Sequence, residues 1–248
     1  MMFYGRFPNG TEDRKFLETA IQRFRTMFST VFADDNVILF NRTLGFRRDA
    51  KMMQAIKTNA LRRQEESLLL RVNTLIWSVK QALSVEGDFV ECGVFRGFCA
   101  SVVADYLDFA TLNREFFLYD TFEGIPPEFD SEGHDRPVLR EEGLYDSVVK
   151  RFAKYRNVRI VKGLVPYSFE EASPKKIAFL HVDMNSSKSE IAALEGLFDR
   201  VVKGGVILFD DYGWTGYEAQ QLAEEKWLKE RGQNILELPS GQALVVKV

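Results

Sequence analysis

Five short apolar runs, each followed by a stretch able to form a helix or loop, constrain this chain more than any other feature. They are DFVECGV, EFFLYD, VRIVKG, KIAFLHVDM and GGVILFDD, and they begin only after Gly87. Strand-then-helix repetition is the pattern of a parallel sheet with crossover connections. Four of the runs end in or near an acid: Glu91, Asp120, Asp183 and Asp210. Ligands of open α/β sheets bind outside the carboxyl ends of the strands, so these acids are expected along one rim. The tail, NILELPSGQALVVKV, breaks the rhythm. Its two strand-like runs are separated only by Pro239, Ser240, Gly241 and Gln242, which permits a hairpin and excludes a crossover helix.

Residues 1–85 show no convincing strand series and read as a helical N-terminal extension. Helices are expected from Thr11 to Phe32 and from Asn59 to Leu83, where Leu68, Val72, Leu75, Ile76 and Val79 fall at helical spacing. The mixed stretch from Asp34 to Arg48 gives no clear pattern. Residues 86–248 read as the ligand-binding domain, and the extension is a candidate lid or contact in a homo-oligomer. A formal net charge of −3 supplies no cationic field for a phosphate backbone, which argues against nucleic acid. The opening MMFYGRFPNGTEDRKF lacks the basic-then-apolar layout of an export signal, and no run reaches the length of a membrane span. With only Cys92 and Cys99, a cytoplasmic protein with free thiols is expected, both cysteines serving to pack the interior.

The turn Glu91-Cys-Gly93-Val94-Phe95-Arg-Gly97 follows one apolar run and precedes the helical FCASVVADYL. Its glycines allow a close approach to the backbone. A dinucleotide site calls for G-x-G-x-x-G, whereas E-x-G-x-x-x-G suits S-adenosylmethionine, which has no pyrophosphate to cradle. Asp120, one strand-helix unit later, stands where an acid accepts hydrogen bonds from ribose hydroxyls.

The motifs ECGVFRG, YDTFEGIP, HVDM and GGVILFDDYGW together resemble the macrocin O-methyltransferase (TylF-type) family, over roughly the last two-thirds of the chain. The resemblance implies a class I methyltransferase fold: a Rossmann-like, mostly parallel sheet closed by an antiparallel C-terminal strand. It implies that Glu91, Gly93, Asp120, Thr121 and Phe122 surround S-adenosylmethionine, with Asp120 on the ribose; Val94, Phe95 and Gly97 complete the loop. The implied acceptor is a hydroxyl of a sugar or sugar-containing small molecule. A catechol-like phenol acceptor and a non-catalytic S-adenosylmethionine-binding protein are the alternatives.

Asp183 closes the fourth run, and Asp210 and Asp211 the fifth. Strands in those positions are neighbours in a doubly wound sheet, so three carboxylates converge, and bare carboxylates repel. A hard divalent cation such as Mg²⁺ resolves that repulsion. It would also lower the pKa of an acceptor hydroxyl. By the same resemblance Asp183 is the candidate general base as well as a metal ligand. Many relatives carry D-x-D-x-Y here, whereas this chain has Asp183-Met184-Asn185-Ser-Ser.

His181, two residues before Asp183, points to the same face and reads as a satisfied interior histidine at least as well as a catalytic one. His134, in FDSEGHDRP, reads as an exposed residue of a mobile loop, and Glu123 to Glu142 is a second candidate lid. Tyr212 and Trp214 either flank the acceptor or pack their loop. Glu224 to Arg231, with Trp227 and Leu228 interspersed, reads as a solvated helix face.

Overall fold

The structure, a computed structural model, describes residues 11–248. Met1 to Gly10, most of the stretch read for an export signal, lie outside them. The chain divides into two compact units, one running to Asn73 and the other beginning at Thr74.

The first unit opens with α1 (Glu12–Met27), whose first turn is capped by the Thr11 hydroxyl accepting the Arg14 N–H. The helix stops short of Phe32 because the chain turns into a hairpin of β1 (Val31–Asp34) and β2 (Val37–Phe40). This corrects the expectation of an extension without strands. The missed signal is Asp35-Asn36, both at positive φ (50 and 56), the residue types that tolerate the tight turn of a two-residue hairpin. Asp35 is buried and takes a bidentate pair of hydrogen bonds from Arg71, at 2.9 and 3.1 Å.

The long helix expected from Asn59 to Leu83 is also corrected. α2 (Ala50–Asn59) ends where it was to begin, and α3 (Leu69–Ala82) starts ten residues after Asn59. Between them Glu65 turns back to accept the N–H groups of Leu61 and Arg62, at 2.5 and 3.1 Å, giving the backbone a partner outside a helical ladder.

The second unit is a seven-stranded sheet of β3 (Asp88–Cys92), β4 (Phe116–Asp120), β5 (Val158–Lys162), β6 (Ile177–Val182), β7 (Val201–Phe209), β8 (Leu236–Glu237) and β9 (Ala243–Val246). Their order is β5-β4-β3-β6-β7-β9-β8. The first five are mutually parallel; β9 runs antiparallel to β7, and β8 antiparallel to β9. The parallel strands fall on the five apolar runs and the antiparallel pair on the tail, in agreement with the class I methyltransferase arrangement. α4 (Phe98–Leu107), α5 (Leu144–Phe152), α6 (Ser187–Leu197) and α7 (Glu218–Lys229) complete the unit, with α6 packed against α7.

Phe89 at the centre of the sheet meets Phe109, Phe116 and Phe179 at ring distances of 5.4, 5.9 and 5.5 Å. Such a buried aromatic cluster gives the strands a firm base. The winding steps outward from β3 through β4 to β5, then returns to the other side of β3 with β6. The β3–β6 junction is therefore the switch point, where a crevice opens at the strand ends.

Candidate active site

β3 ends at Cys92 and α4 begins at Phe98, so Gly93 to Gly97 is all the chain has for its reversal. Gly93 holds φ +89, and a Cβ there would stand 1.8 Å from the Asp183 carbonyl oxygen. This glycine lets the exits of β3 and β6 touch, in addition to the close approach expected for a ligand. The Asp183 N–H completes the junction by donating to the Cys92 carbonyl at 2.9 Å.

Asp120, the last residue of β4, is tied into the same turn. One carboxylate oxygen accepts the N–H groups of Val94 and Phe95, both at 2.7 Å; the other accepts the Phe122 N–H at 2.6 Å. Burial pushes this carboxyl up, and the three backbone donors oppose the shift. Asp120 thus shapes the turn that its position at the rim would otherwise only adjoin.

A cleft opens at the switch point. Gly93, Phe95, Asp120 and Thr121 line one side, Gly163, Leu164 and Val165 a second, and Asp183, Met184, Asn185 and Ser189 a third. Of the residues expected around the cofactor, Glu91, Val94, Gly97 and Phe122 stand behind this lining. Phe122 is buried against Tyr145 at 5.3 Å, and Gly97 sits where a Cβ would strike the Phe152 ring. Sequence reasoning missed Gly163 to Val165, although VRIVKG runs parallel beside EFFLYD and so must exit on the same rim.

Asp183 follows β6 while Asp210 and Asp211 follow β7, its neighbour. One oxygen from each of the three carboxylates lies within 4.8 Å of the other two. Burial, then the Asp210 and Asp211 charges, push the Asp183 carboxyl well above its ordinary 3.8. Three oxygen ligands converging under mutual repulsion fit a hard divalent cation whose remaining positions go to water or acceptor. Asp210 is further held by Gln242, whose amide nitrogen donates to Oδ1 at 2.8 Å. Gln242 lies in the turn between β8 and β9.

Beneath this group lies His181, at 1% exposure, with Nδ1 3.3 Å from Glu91 Oε1 and Nε2 3.8 Å from Asp210 Oδ1. Burial alone would depress the imidazole; the flanking carboxylates outweigh it and hold the ring well above its ordinary 6.5. His181 is an interior histidine that ties β3 and β6 to the β7 exit. Cys99 brings its sulfur to the same pocket as Glu91 and His181, and Cys92 is fully buried in the core.

Asn185 is the hub of the cleft wall that follows β6. Its φ is +56, its carbonyl side chain accepts from the Tyr217 hydroxyl at 2.7 Å, and its amide points to Asp183 Oδ1 at 3.4 Å. His134 corrects the exposed-loop reading: it is buried, with its ring nitrogens each 3.0 Å from a backbone carbonyl, those of Asn185 and Gly216. The ring lies 4.1 Å from that of Tyr217. The Ser186 hydroxyl donates to the Phe129 carbonyl at 2.5 Å and Lys188 to that of Glu128 at 3.1 Å, so the loop is fastened to the start of α6. Tyr212 is buried in the core cluster and Trp214 packs over Gly241; both serve their loop. Glu224, expected on a solvated face, is fully buried, and Trp227 and Leu228 beside it are buried as well.

The family model described as macrocin O-methyltransferase (TylF) matches residues 66–234. The 8-demethyl-8-(2,3-dimethoxy-alpha-L-rhamnosyl)-tetracenomycin-C 4'-O-methyltransferase of Streptomyces olivaceus is 31% identical over 161 residues, covering 58% of this chain and 60% of the relative. The matched stretch thus spans less than two thirds of that relative's length. Two solved structures share the fold. One is the O-methyltransferase NovP, with a TM-score of 0.62 and 19% identity over 73% of this chain and 80% of NovP. The other is CalS11, a calicheamicin methyltransferase, with a TM-score of 0.61 and 18% identity over 99% of this chain and 98% of CalS11. The family match covers well over half of the residues, including the glycine turn, Asp120 and all three clustered aspartates, and so the chain belongs to the macrocin O-methyltransferase family.

Proposed function

We propose that this protein transfers the methyl group of S-adenosylmethionine to a hydroxyl of a sugar, assisted by a divalent cation at Asp183, Asp210 and Asp211. The observation that carries the reading is the convergence of those three carboxylates beside a cleft whose other wall is the glycine turn and Asp120. The tetracenomycin relative acts on a rhamnosyl group, and CalS11 is a TDP-rhamnose 3'-O-methyltransferase, which supports a sugar as the acceptor.

In the reaction the acceptor oxygen forms a bond to the methyl carbon as the carbon–sulfur bond breaks, and the hydroxyl proton must leave. We assign that proton to Asp183, whose carboxylate lines the cleft beside Met184 and Asn185. A bound Mg²⁺ would offset the mutual repulsion of the three carboxylates and lower the pKa of a hydroxyl presented to it. Asp120 and the turn it organises would hold the donor, and the Met184–Asn185 segment would face the acceptor. Aligning the two substrates in one cleft supplies much of the remaining acceleration.

Calorimetric titration with S-adenosylmethionine and with NAD, each with and without Mg²⁺, on wild type and Asp210→Asn tests the binding half. The expected result is donor binding without NAD binding, and a metal heat that the variant loses. Absence of donor binding would overturn the proposal. Product mass after incubation with TDP-rhamnose, a rhamnosyl glycoside and a catechol then tests the acceptor; methylation of the catechol alone would replace the sugar by a phenol.

A further inference from the structure

Glu190 on α6 and Glu224 on α7 are both at 0% exposure. Two carboxyls in a dry interior do not both ionise, because desolvation and mutual repulsion act together. The two carboxyls lie close enough across the α6–α7 contact to act on each other. Glu190 Oε2 and both Glu224 oxygens have no hydrogen-bond partner among the described residues, so a proton shared between the two carboxyls is the group available to satisfy them. Gln220, one turn before Glu224 on the same helix, is equally buried, and neither of its amide atoms has a partner there. Replacing such a group by apolar residues of similar size is commonly neutral or stabilising, so stability alone does not account for it.

The remaining oxygen shows what the pair does. Glu190 Oε1 accepts the Met184 backbone N–H at 3.0 Å, across the turn that joins β6 to α6. That turn carries Asp183 at its start and Asn185, at φ +56, at its crest. Ser186, the helix cap, binds the following residues and the Phe129 carbonyl, leaving Met184 to Glu190.

We propose that Glu190 is a positioning residue that holds the Asp183-to-Asn185 turn through the Met184 N–H, and that Glu224, buried against it from α7, fixes Glu190 by sharing a proton between the two carboxyls. The inference rests on the reading of Asp183 as a metal ligand. It couples α7 to the cleft without any α7 side chain entering it.

The test compares wild type with Glu190→Gln, Glu190→Leu and the double variant Glu190→Leu/Glu224→Leu. Three quantities are read: Mn²⁺ affinity by calorimetry, melting temperature, and exchange of the Met184 amide by NMR. Glutamine keeps an oxygen for Met184 and offers an N–H to Glu224, so wild-type values are expected. Glu190→Leu should bind Mn²⁺ roughly 10- to 100-fold more weakly, as loss of an outer-shell partner does, and Met184 should exchange faster. The double variant should recover melting temperature without recovering Mn²⁺ affinity. Wild-type affinity in Glu190→Leu, or joint recovery of both properties in the double variant, overturns the positioning role. A wild type that binds no Mn²⁺ removes the metal reading instead; the turn is then read by Met184 exchange, and unchanged protection in Glu190→Leu overturns the proposal on its own.

Discussion

At the scale of single residues, the site is governed by groups that do two things at once. Gly93 opens the turn after β3 and also makes room for the Asp183 carbonyl, so Gly93→Ala should either fail to fold or lose at least about 3 kcal/mol, measured by urea unfolding. A variant as stable as wild type would mean that the two strand exits do not touch. Asn185 stands where the family resemblance leads one to expect an acid. Asn185→Asp keeps an acceptor for the Tyr217 hydroxyl but removes the N–H aimed at Asp183 and adds a fourth carboxylate. A like charge disfavours ionisation of Asp183, which must be ionised to act as a base. The acidic limb of kcat/KM is therefore expected to move up by about one pH unit, and an unchanged profile would count against Asp183 as the base.

At the scale of elements, the parallel strands were legible because each is a short apolar run, four of the five with an acid at or near the exit. Other features were not, and the misses have physical reasons. The β1–β2 hairpin was hidden because its strands are four residues long and its turn carries no glycine, only Asp35-Asn36. Glu224 was read as solvated because a charge on a helix usually is, and a partner on another helix leaves no trace in local periodicity. His134 was misplaced because its partners, Asn185 and Gly216, lie 51 and 82 residues away. The three aspartates were legible because topology alone brings the exits of β6 and β7 together, whereas Gly163 to Val165 needed the position of β5 to be used and it was not.

The α6–α7 pair has a consequence for pH. Burial raises Glu224 well above its ordinary 4.5, and Glu190 is raised as well. The folded chain then keeps protons that the unfolded chain releases. Their contribution to stability is complete below about pH 4.5 and is lost as pH rises through the folded-state values. Glu224→Gln should flatten that decline in a series of urea midpoints; an identical slope in both proteins would show that the pair does not share a proton. On the other flank, Gln242→Leu removes the donor that orients Asp210. Metal affinity should fall roughly 10- to 100-fold with little change in donor affinity, and calorimetry with Mn²⁺ and S-adenosylmethionine reads both.

At the scale of the whole molecule, every residue of the cleft belongs to the unit that begins at Thr74. S-adenosylmethionine at a hundredfold its Kd should stabilise the native state of that unit by about 2.7 kcal/mol. Calorimetric scanning should show the shift in its transition and none with NAD; a shift with NAD would point to a different cofactor. Among the described residues no helix is long and apolar enough to cross a membrane.

The side chain that steadies Asp210 comes from Gln242, 32 residues further along the chain, and the strand that shields the open flank of β7 follows immediately after it. During synthesis on the ribosome, the five parallel strands emerge well before either. Until the hairpin arrives, β7 is an uncovered edge with unpaired backbone groups, ready to pair with another chain. The hairpin that covers this edge thus also brings the side chain that orients Asp210, so that protection against aggregation and the final setting of the carboxylate arrive together.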